Sequence, residues 1–213
     1  MDAKATVQVG PFSRAGKSRT GTAACDHDFK AEANLTPFGI FLPKHDDLTI
    51  YFTSSKVTSD FIADMLERWW QDNRSRFPQI QTLMLDLDNG PENHSRRTQF
   101  MARVMEFAYK YRLHIRLVYY PPYHSKYNPI ERCWGILENH WNGDLLDTVD
   151  TVLKFAKSMT WKGKHPVVEL AQGVYKTGVK LSASAMAALE MKLRRLPNLG
   201  KWFVDILVPP ATA

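Results

Sequence analysis

Tyr119-Tyr120-Pro121-Pro122-Tyr123-His124-Ser125-Lys126-Tyr127-Asn128-Pro129-Ile130-Glu131 is the stretch on which the reading of this chain turns. It closes an apolar, strand-like segment, turns at two prolines and opens a helix. Asn128 is the expected N-cap and Pro129 the first helical residue, where a missing N–H costs nothing. Ile130, Trp134, Leu137 and Trp141 then recur at helical spacing as one apolar stripe. Glu131 falls in the first turn. In that frame it is the third helical residue, where a glutamate often serves only as the partner of a capping box. The carboxylate therefore has two readings, metal ligand or helix-start residue, and the Pro-Pro turn behind a strand favours the first.

A second acid lies upstream. Leu83-Met84-Leu85 is an apolar run that leads through Asp86 and Leu87 to Asp88-Asn89-Gly90, a tight-turn sequence. Alternation places Asp86 and Asp88 on the same side of the strand. Asp88 is preferred because it sits at the strand mouth; its plain alternative is a turn aspartate. One carboxylate at a strand end and another at a helix start suit two-metal phosphoryl transfer, in which acids hold two cations roughly 3.5–4 Å apart. Mg²⁺ or Mn²⁺ prefers such hard oxygen ligands.

The surrounding pattern gives the architecture. Residues 5–9 can form a short strand, and residues 11–28 are polar and basic, a loop or extended hairpin. Phe38-Gly39-Ile40-Phe41-Leu42 and Leu48-Thr49-Ile50-Tyr51-Phe52 read as an antiparallel hairpin. Phe61, Ile62, Met65, Leu66 and Trp69 make a helix after Ser59, the expected cap. Of Trp69 and Trp70, one indole is expected in the core and one at the surface. Residues 82–87 form a buried strand. Phe100, Val104, Phe107 and Tyr111 give a second helix, and residues 114–119 another strand. The order β-β-β-α-β-α-β-α predicts an α/β fold with one mixed sheet flanked by helices, the layout of an RNase H-like core. That core is assigned to residues 1–143, its first strand incomplete. Residues 144–213 are assigned to a small C-terminal α/β subdomain. In it Leu145, Val149, Val152, Ala156 and Met159 predict a helix, residues 185–193 another, and residues 202–208 a strand.

Composition narrows the partner. The 213 residues carry a formal net charge of +6, with 44% hydrophobic and 12% aromatic content. That describes a globular, basic protein suited to a polyanion, of which nucleic acid is the usual one. Cys25 and Cys133 form no C-x-x-C pair, which excludes a zinc ribbon and a disulfide framework. No signal peptide or membrane-length apolar run is read from the sequence, so a reducing cytoplasm is the default expectation. Gly16-Lys17-Ser18 resembles the end of a P-loop, but Pro11 stands where that loop needs its first glycine. Asp26 and Asp28 flank His27 as a possible metal cluster, though a solvated turn is the stronger reading. His124 has two readings of equal weight, assistance to a phosphate or proton transfer, or packing in the turn.

These motifs together resemble the ISAzo13-type DDE transposases of bacterial insertion sequences, relatives of the IS630 and mariner enzymes. The likeness covers essentially the whole chain. It rests on Asp2-Ala3-Lys4, Gly10-Pro11-Phe12-Ser13-Arg14, Leu87-Asp88-Asn89-Gly90-Pro91, Arg96-Arg97-Thr98-Gln99-Phe100 and the run from Tyr120 to Arg132. Met159-Thr160-Trp161-Lys162-Gly163 and Thr177-Gly178-Val179-Lys180-Leu181 extend it. The resemblance implies Asp2, Asp88 and Glu131 as a metal-binding catalytic triad, in place of Asp26 and Asp28. It implies Mg²⁺ or Mn²⁺ as cofactor, DNA ends and target DNA as partners, and a homodimer on DNA. The implied reaction is hydrolysis of a DNA phosphodiester followed by strand transfer. Arg96, Arg97, His124, Lys126 and Arg132 lie near the acids and are the expected DNA contacts; phosphate contacts of this kind position DNA without reading its sequence. Members of the family carry a helix-turn-helix region and a full first strand before the first aspartate, whereas here Asp2 follows Met1. An N-terminally truncated enzyme is therefore expected, with Asp2 prone to fray. The alternative is a catalytically inactive remnant that only binds DNA. A cellular nuclease cutting RNA–DNA hybrids is disfavoured by Asn128-Pro129-Ile130-Glu131.

Overall fold

The computed structural model describes residues 1–213 apart from 14–17, 20, 26–28, 122–123, 125–126 and 210–213. The Asp26-His27-Asp28 cluster, most of the P-loop-like segment and Lys126 lie outside the described residues. In chain order the elements are β1 (Asp2–Ala3), β2 (Val7–Val9), β3 (Ala33–Leu42), β4 (Asp47–Thr53), α1 (Ser59–Asn73), β5 (Thr82–Leu87), α2 (Thr98–Tyr111), β6 (His114–Tyr119), α3 (Ile130–Trp141), α4 (Val149–Ser158), β7 (Val167–Ala171), α5 (Ala183–Glu190), β8 (Leu193–Arg195) and β9 (Phe203–Ile206). A 3-10 turn, Arg74–Arg76, follows α1. No helix among the described residues is long and apolar enough to cross a membrane.

The fold is mixed α/β, as expected, but its strands form two mixed sheets where one was predicted. The chain also divides into two compact units. Met1, Val57–Asn128 and Tyr175–Ala213 make the first, and Asp2–Lys56 and Pro129–Val174 the second. Residues 144–213 thus contribute to both.

In the first unit the strand order is β5-β6-β9-β8. β5 and β6 are parallel, in register from Thr82↔His114 to Leu87↔Tyr119. β9 runs antiparallel to both β6 and β8. Leu85, Leu87, Ile115, Leu117, Val204 and Ile206 bury the sheet's apolar face. Each such side chain contributes about 1.5–3 kcal/mol on transfer from water. The cap of α1 is Thr58, one residue before the expected Ser59; its hydroxyl accepts from the Phe61 N–H at 3.3 Å. Trp69 and Trp70 are both buried, correcting the expectation of one surface indole. The apolar positions of α1 come in adjacent pairs (Phe61-Ile62, Met65-Leu66, Trp69-Trp70), so the buried arc is wide enough for both. Arg103 ties α2 to α1, donating to Asp60 at 2.8 Å and Asp64 at 2.7 Å. Tyr175 adds a bond to Asp64 at 2.9 Å.

The second unit is built on the predicted hairpin. β3 and β4 pair antiparallel from Thr36↔Thr53 to Leu42↔Asp47. β1 and β2 both add to β3, antiparallel. β7, which the sequence pattern did not reveal, runs parallel to β4. Leu48, Ile50 and Phe52 of β4 pack with Trp134, Leu137 and Trp141 of α3 and with Val152 and Ala156 of α4 in one core. The helix predicted from Leu145 to Met159 is shorter, starting at Val149 behind the Thr148 cap. β1 is only two residues long, Asp2↔Gly39 and Ala3↔Phe38. A strand that short carries too few ladder bonds to organise a larger sheet by itself.

Candidate functional site

Asp88 is the first residue past β5, at the sheet edge where the sequence placed it. Asn89 turns the chain with a left-handed φ of 63°, a conformation asparagine tolerates. The Asp88 Oδ1 atom accepts from the Gly90 N–H at 3.3 Å, closing an Asx turn, and from Asn93 Nδ2 at 2.8 Å. The carboxylate is exposed but aimed. The loop behind it is fixed in turn. Glu92 accepts from the Ser59 N–H at 3.2 Å and from Arg97 Nη2 at 3.0 Å, while the Ser59 hydroxyl donates to the Glu92 carbonyl at 2.7 Å. Arg97 is therefore an ion-pair partner within this loop, and its side chain is half-buried. Asp86, the competing acid, is partly buried inside β5, and burial raises its pKa.

Asp2 and Glu131 belong to the second unit, Asp88 to the first. Asp2 is only 7% exposed. It pairs with Gly39 in the ladder, and its Oδ2 atom accepts from Trp134 Nε1 at 3.0 Å. This corrects the expectation of a frayed aspartate: local pairing and the indole N–H hold it. Gly39 makes the contact possible. A Cβ there would fall 2.6 Å from Ile130 Cδ1 and 2.7 Å from Trp134 Cη2, so only glycine lets α3 lie this close to β3. Two residues on, Lys4 Nζ donates to Glu138 Oε2 at 2.5 Å, a second tie between the N-terminal segment and α3.

Glu131 lies one helical turn before Trp134 and is exposed. The capping box it was set against does not form. Pro129, not Asn128, occupies the cap position, and no side-chain cap bond is made there. Asn128 Nδ2 is buried without a partner among the described residues. The Glu131 carboxylate makes no hydrogen bond or ion pair among the described residues. Its neighbour Arg132 is exposed and its guanidinium has no side-chain partner among the described residues. The His124 ring stacks on Tyr127 with centroids 5.7 Å apart, and Arg96 is exposed at the head of α2.

Sequence reasoning missed Asn93, which reaches Asp88 within one loop, and Ser59, Glu92 and Trp134, which act through contacts distant along the chain. Among the described residues, no group of three or more His, Cys, Asp or Glu side chains is gathered as a metal-holding cluster. The donor chemistry nevertheless fits a hard cation. Asn93 Oδ1 is buried with no partner among the described residues. A Cβ built on Gly90 would lie 3.2 Å from Asp88 Oδ2 and 3.4 Å from Asn93 Oδ1. Both oxygens therefore line one small space kept open by a glycine, and Mg²⁺ is bound through oxygen.

A family model described as the Rhodopirellula transposase DDE domain matches residues 1–208. No curated protein and no solved structure shows significant similarity to the chain.

Proposed function

The chain belongs to the family described as the Rhodopirellula transposase DDE domain, and from that premise we propose that it is the RNase H-like catalytic domain of an ISAzo13-type insertion-sequence transposase. In this reading it hydrolyses a DNA phosphodiester at an insertion-sequence end and joins the freed 3′-hydroxyl to target DNA, acting as a homodimer. The observation that carries the reading is the family match across residues 1–208, which contains all three acids. Asp2, Asp88 and Glu131 would hold Mg²⁺ or Mn²⁺. What such ions supply is a more acidic attacking water or 3′-hydroxyl and charge neutralisation at the leaving oxygen. The chain's own part is placement. Gly90 and Asn93 orient Asp88, Trp134 orients Asp2, and Glu131 offers a carboxylate with no competing partner among the described residues. Arg96 and Arg132 present guanidinium groups that are exposed and have no side-chain partner among the described residues, and they are suited to backbone phosphates.

The test is nicking of supercoiled plasmid by the full chain with Mg²⁺ or Mn²⁺, against a chelator control and an RNA–DNA hybrid. Metal-dependent nicking of the plasmid is the expected result. DNA binding without nicking under either metal overturns the catalytic reading in favour of the DNA-binding remnant, and preference for the hybrid favours a cellular nuclease. Asn93→Ala is expected to lower metal-dependent nicking about 10–100-fold, the usual effect of removing a group that orients a metal ligand. The half-saturating metal concentration should rise with it. Unchanged metal dependence in this variant means that Asn93 does not orient the site.

A further inference from the structure

The first unit carries a cationic cleft that the acidic residues do not account for. It has a volume of about 440 Å³ and is lined by Arg96, Glu190, Arg195, Gly200 and Lys201. Its place follows from strand direction. β5 and β6 run parallel and end together at Leu87↔Tyr119. β9 runs the other way and begins at that edge, with Phe203 paired to Val118. β8 ends there too, Arg195 opposite Val204. The loop between β8 and β9 therefore emerges at the edge that bears Asp88. Two backbone bonds stitch this edge together, Tyr120 N–H to the Leu87 carbonyl and Tyr119 N–H to the Trp202 carbonyl, both 2.9 Å.

Arg195 is the fixed wall of the cleft. It is paired with Glu190, and it donates to the Gly200 carbonyl at 3.0 Å and the Ser95 carbonyl at 2.9 Å. The last bond joins the end of β8 to the loop that follows Asp88. A Cβ on Gly200 would fall 3.1 Å from Arg195 Cβ, so glycine permits the close turn. The Tyr119 hydroxyl, buried without a partner among the described residues, lies within electrostatic reach of both Arg195 and Asp88. Glu190 is matched by Arg195. That leaves the charges of Arg96 and Lys201, both exposed and neither engaged with another side chain among the described residues.

We propose that this cleft is a DNA phosphate site, in which Arg96 and Lys201 grip one or two backbone phosphates of the strand whose neighbouring phosphodiester is presented to Asp88. The inference rests on the transposase reading and deepens it, since it assigns the β8–β9 hairpin to substrate. Two exposed cations beside a paired guanidinium suit a phosphodiester, which is recognised by charge and not by base. A free phosphate has similar chemistry, so the test separates the two.

Duplex DNA affinity of the full chain is measured across a salt series for wild type, Arg96→Ala, Lys201→Ala and the double variant, with Lys154→Ala as a surface control. Each single substitution should reduce the slope of log affinity against log salt by about one, and the double variant by about two. The control should not move. Arg96→Lys and Lys201→Arg should retain binding, which separates lost charge from misfolding. Wild-type slope and affinity in the double variant overturn the proposal while leaving the transposase reading intact. No salt-dependent affinity in the wild type overturns the reading itself, and with it this inference. Calorimetry with inorganic phosphate is the second arm. Saturable phosphate binding that the double variant loses, with DNA affinity unchanged, makes the cleft a small-anion site and overturns the assignment to DNA.

Discussion

Glu131→Gln is expected to abolish metal-dependent nicking by the full chain, a fall of about a thousandfold or more, while the melting temperature stays within about one degree. A thousandfold is about 4 kcal/mol of transition-state stabilisation, a size that a lost metal ligand can reach. The thermal half of the prediction follows from the structure. Glu131 is exposed and makes no capping bond or ion pair among the described residues, so an isosteric amide removes only the charge. Asp88→Asn should be equally inactive but slightly less stable, because its carboxylate accepts from Gly90 and Asn93. The pair of measurements separates the two readings that the sequence left open. A glutamate serving only the helix start would spare the chemistry, because glutamine fills that position as well. If Glu131→Gln nicks DNA like the wild type, its assignment to the triad is wrong.

The parts of the fold that the sequence made legible are those set by local pattern. β5 and β6 fall on the predicted residues 82–87 and 114–119, because apolar runs bounded by turn residues are self-contained signals. The Phe100, Val104, Phe107 and Tyr111 spacing likewise lies within α2. What escaped depends on distant partners. β7 is a strand because β4 lies parallel to it, more than a hundred positions away. Leu193, read as a helix end after an Ala-rich stretch, instead opens β8 and pairs with Ile206; tertiary context overrode propensity. Asn128-Pro129 read as a cap because the types fit, yet Pro129 takes the cap position and the asparagine side chain is buried. The same division holds at the site. Asp88 was visible from its Asx-turn neighbours, whereas Asn93, Trp134 and Arg195 work only through contacts that no spacing rule encodes. Two sheets instead of one follow from the same limit, since alternation gives the faces of a strand but not its neighbour.

Trp134→Phe is the second large effect expected, and it tests what holds Asp2. The indole is 4% exposed and donates from Nε1 to Asp2 Oδ2 at 3.0 Å, with Asp2 itself 7% exposed. Phenylalanine keeps most of the apolar contact and deletes the donor. Weakening the satisfaction of a buried carboxylate costs about 1–3 kcal/mol. For a chain of this size that is a fall in melting temperature of about 2–12 °C. Trp134→Ala adds a cavity and should cost about 3–5 kcal/mol. Gly39→Ala attacks the same contact from the strand side, since its Cβ would meet Ile130 and Trp134 inside 3 Å. Overpacking of this kind costs about 1–3 kcal/mol. Because Gly39 and Trp134 share the contact, their effects should not add: Gly39→Ala should cost less in a Trp134→Ala background than in the wild type. Each variant should also lose nicking activity below its melting point, as a catalytic ligand tolerates displacement of only about half an ångström. Conservative loss of the N–H thus separates placement of the carboxylate from bulk packing. Should Trp134→Phe melt and nick like the wild type, contacts other than the indole N–H position Asp2, and the indole serves only the core.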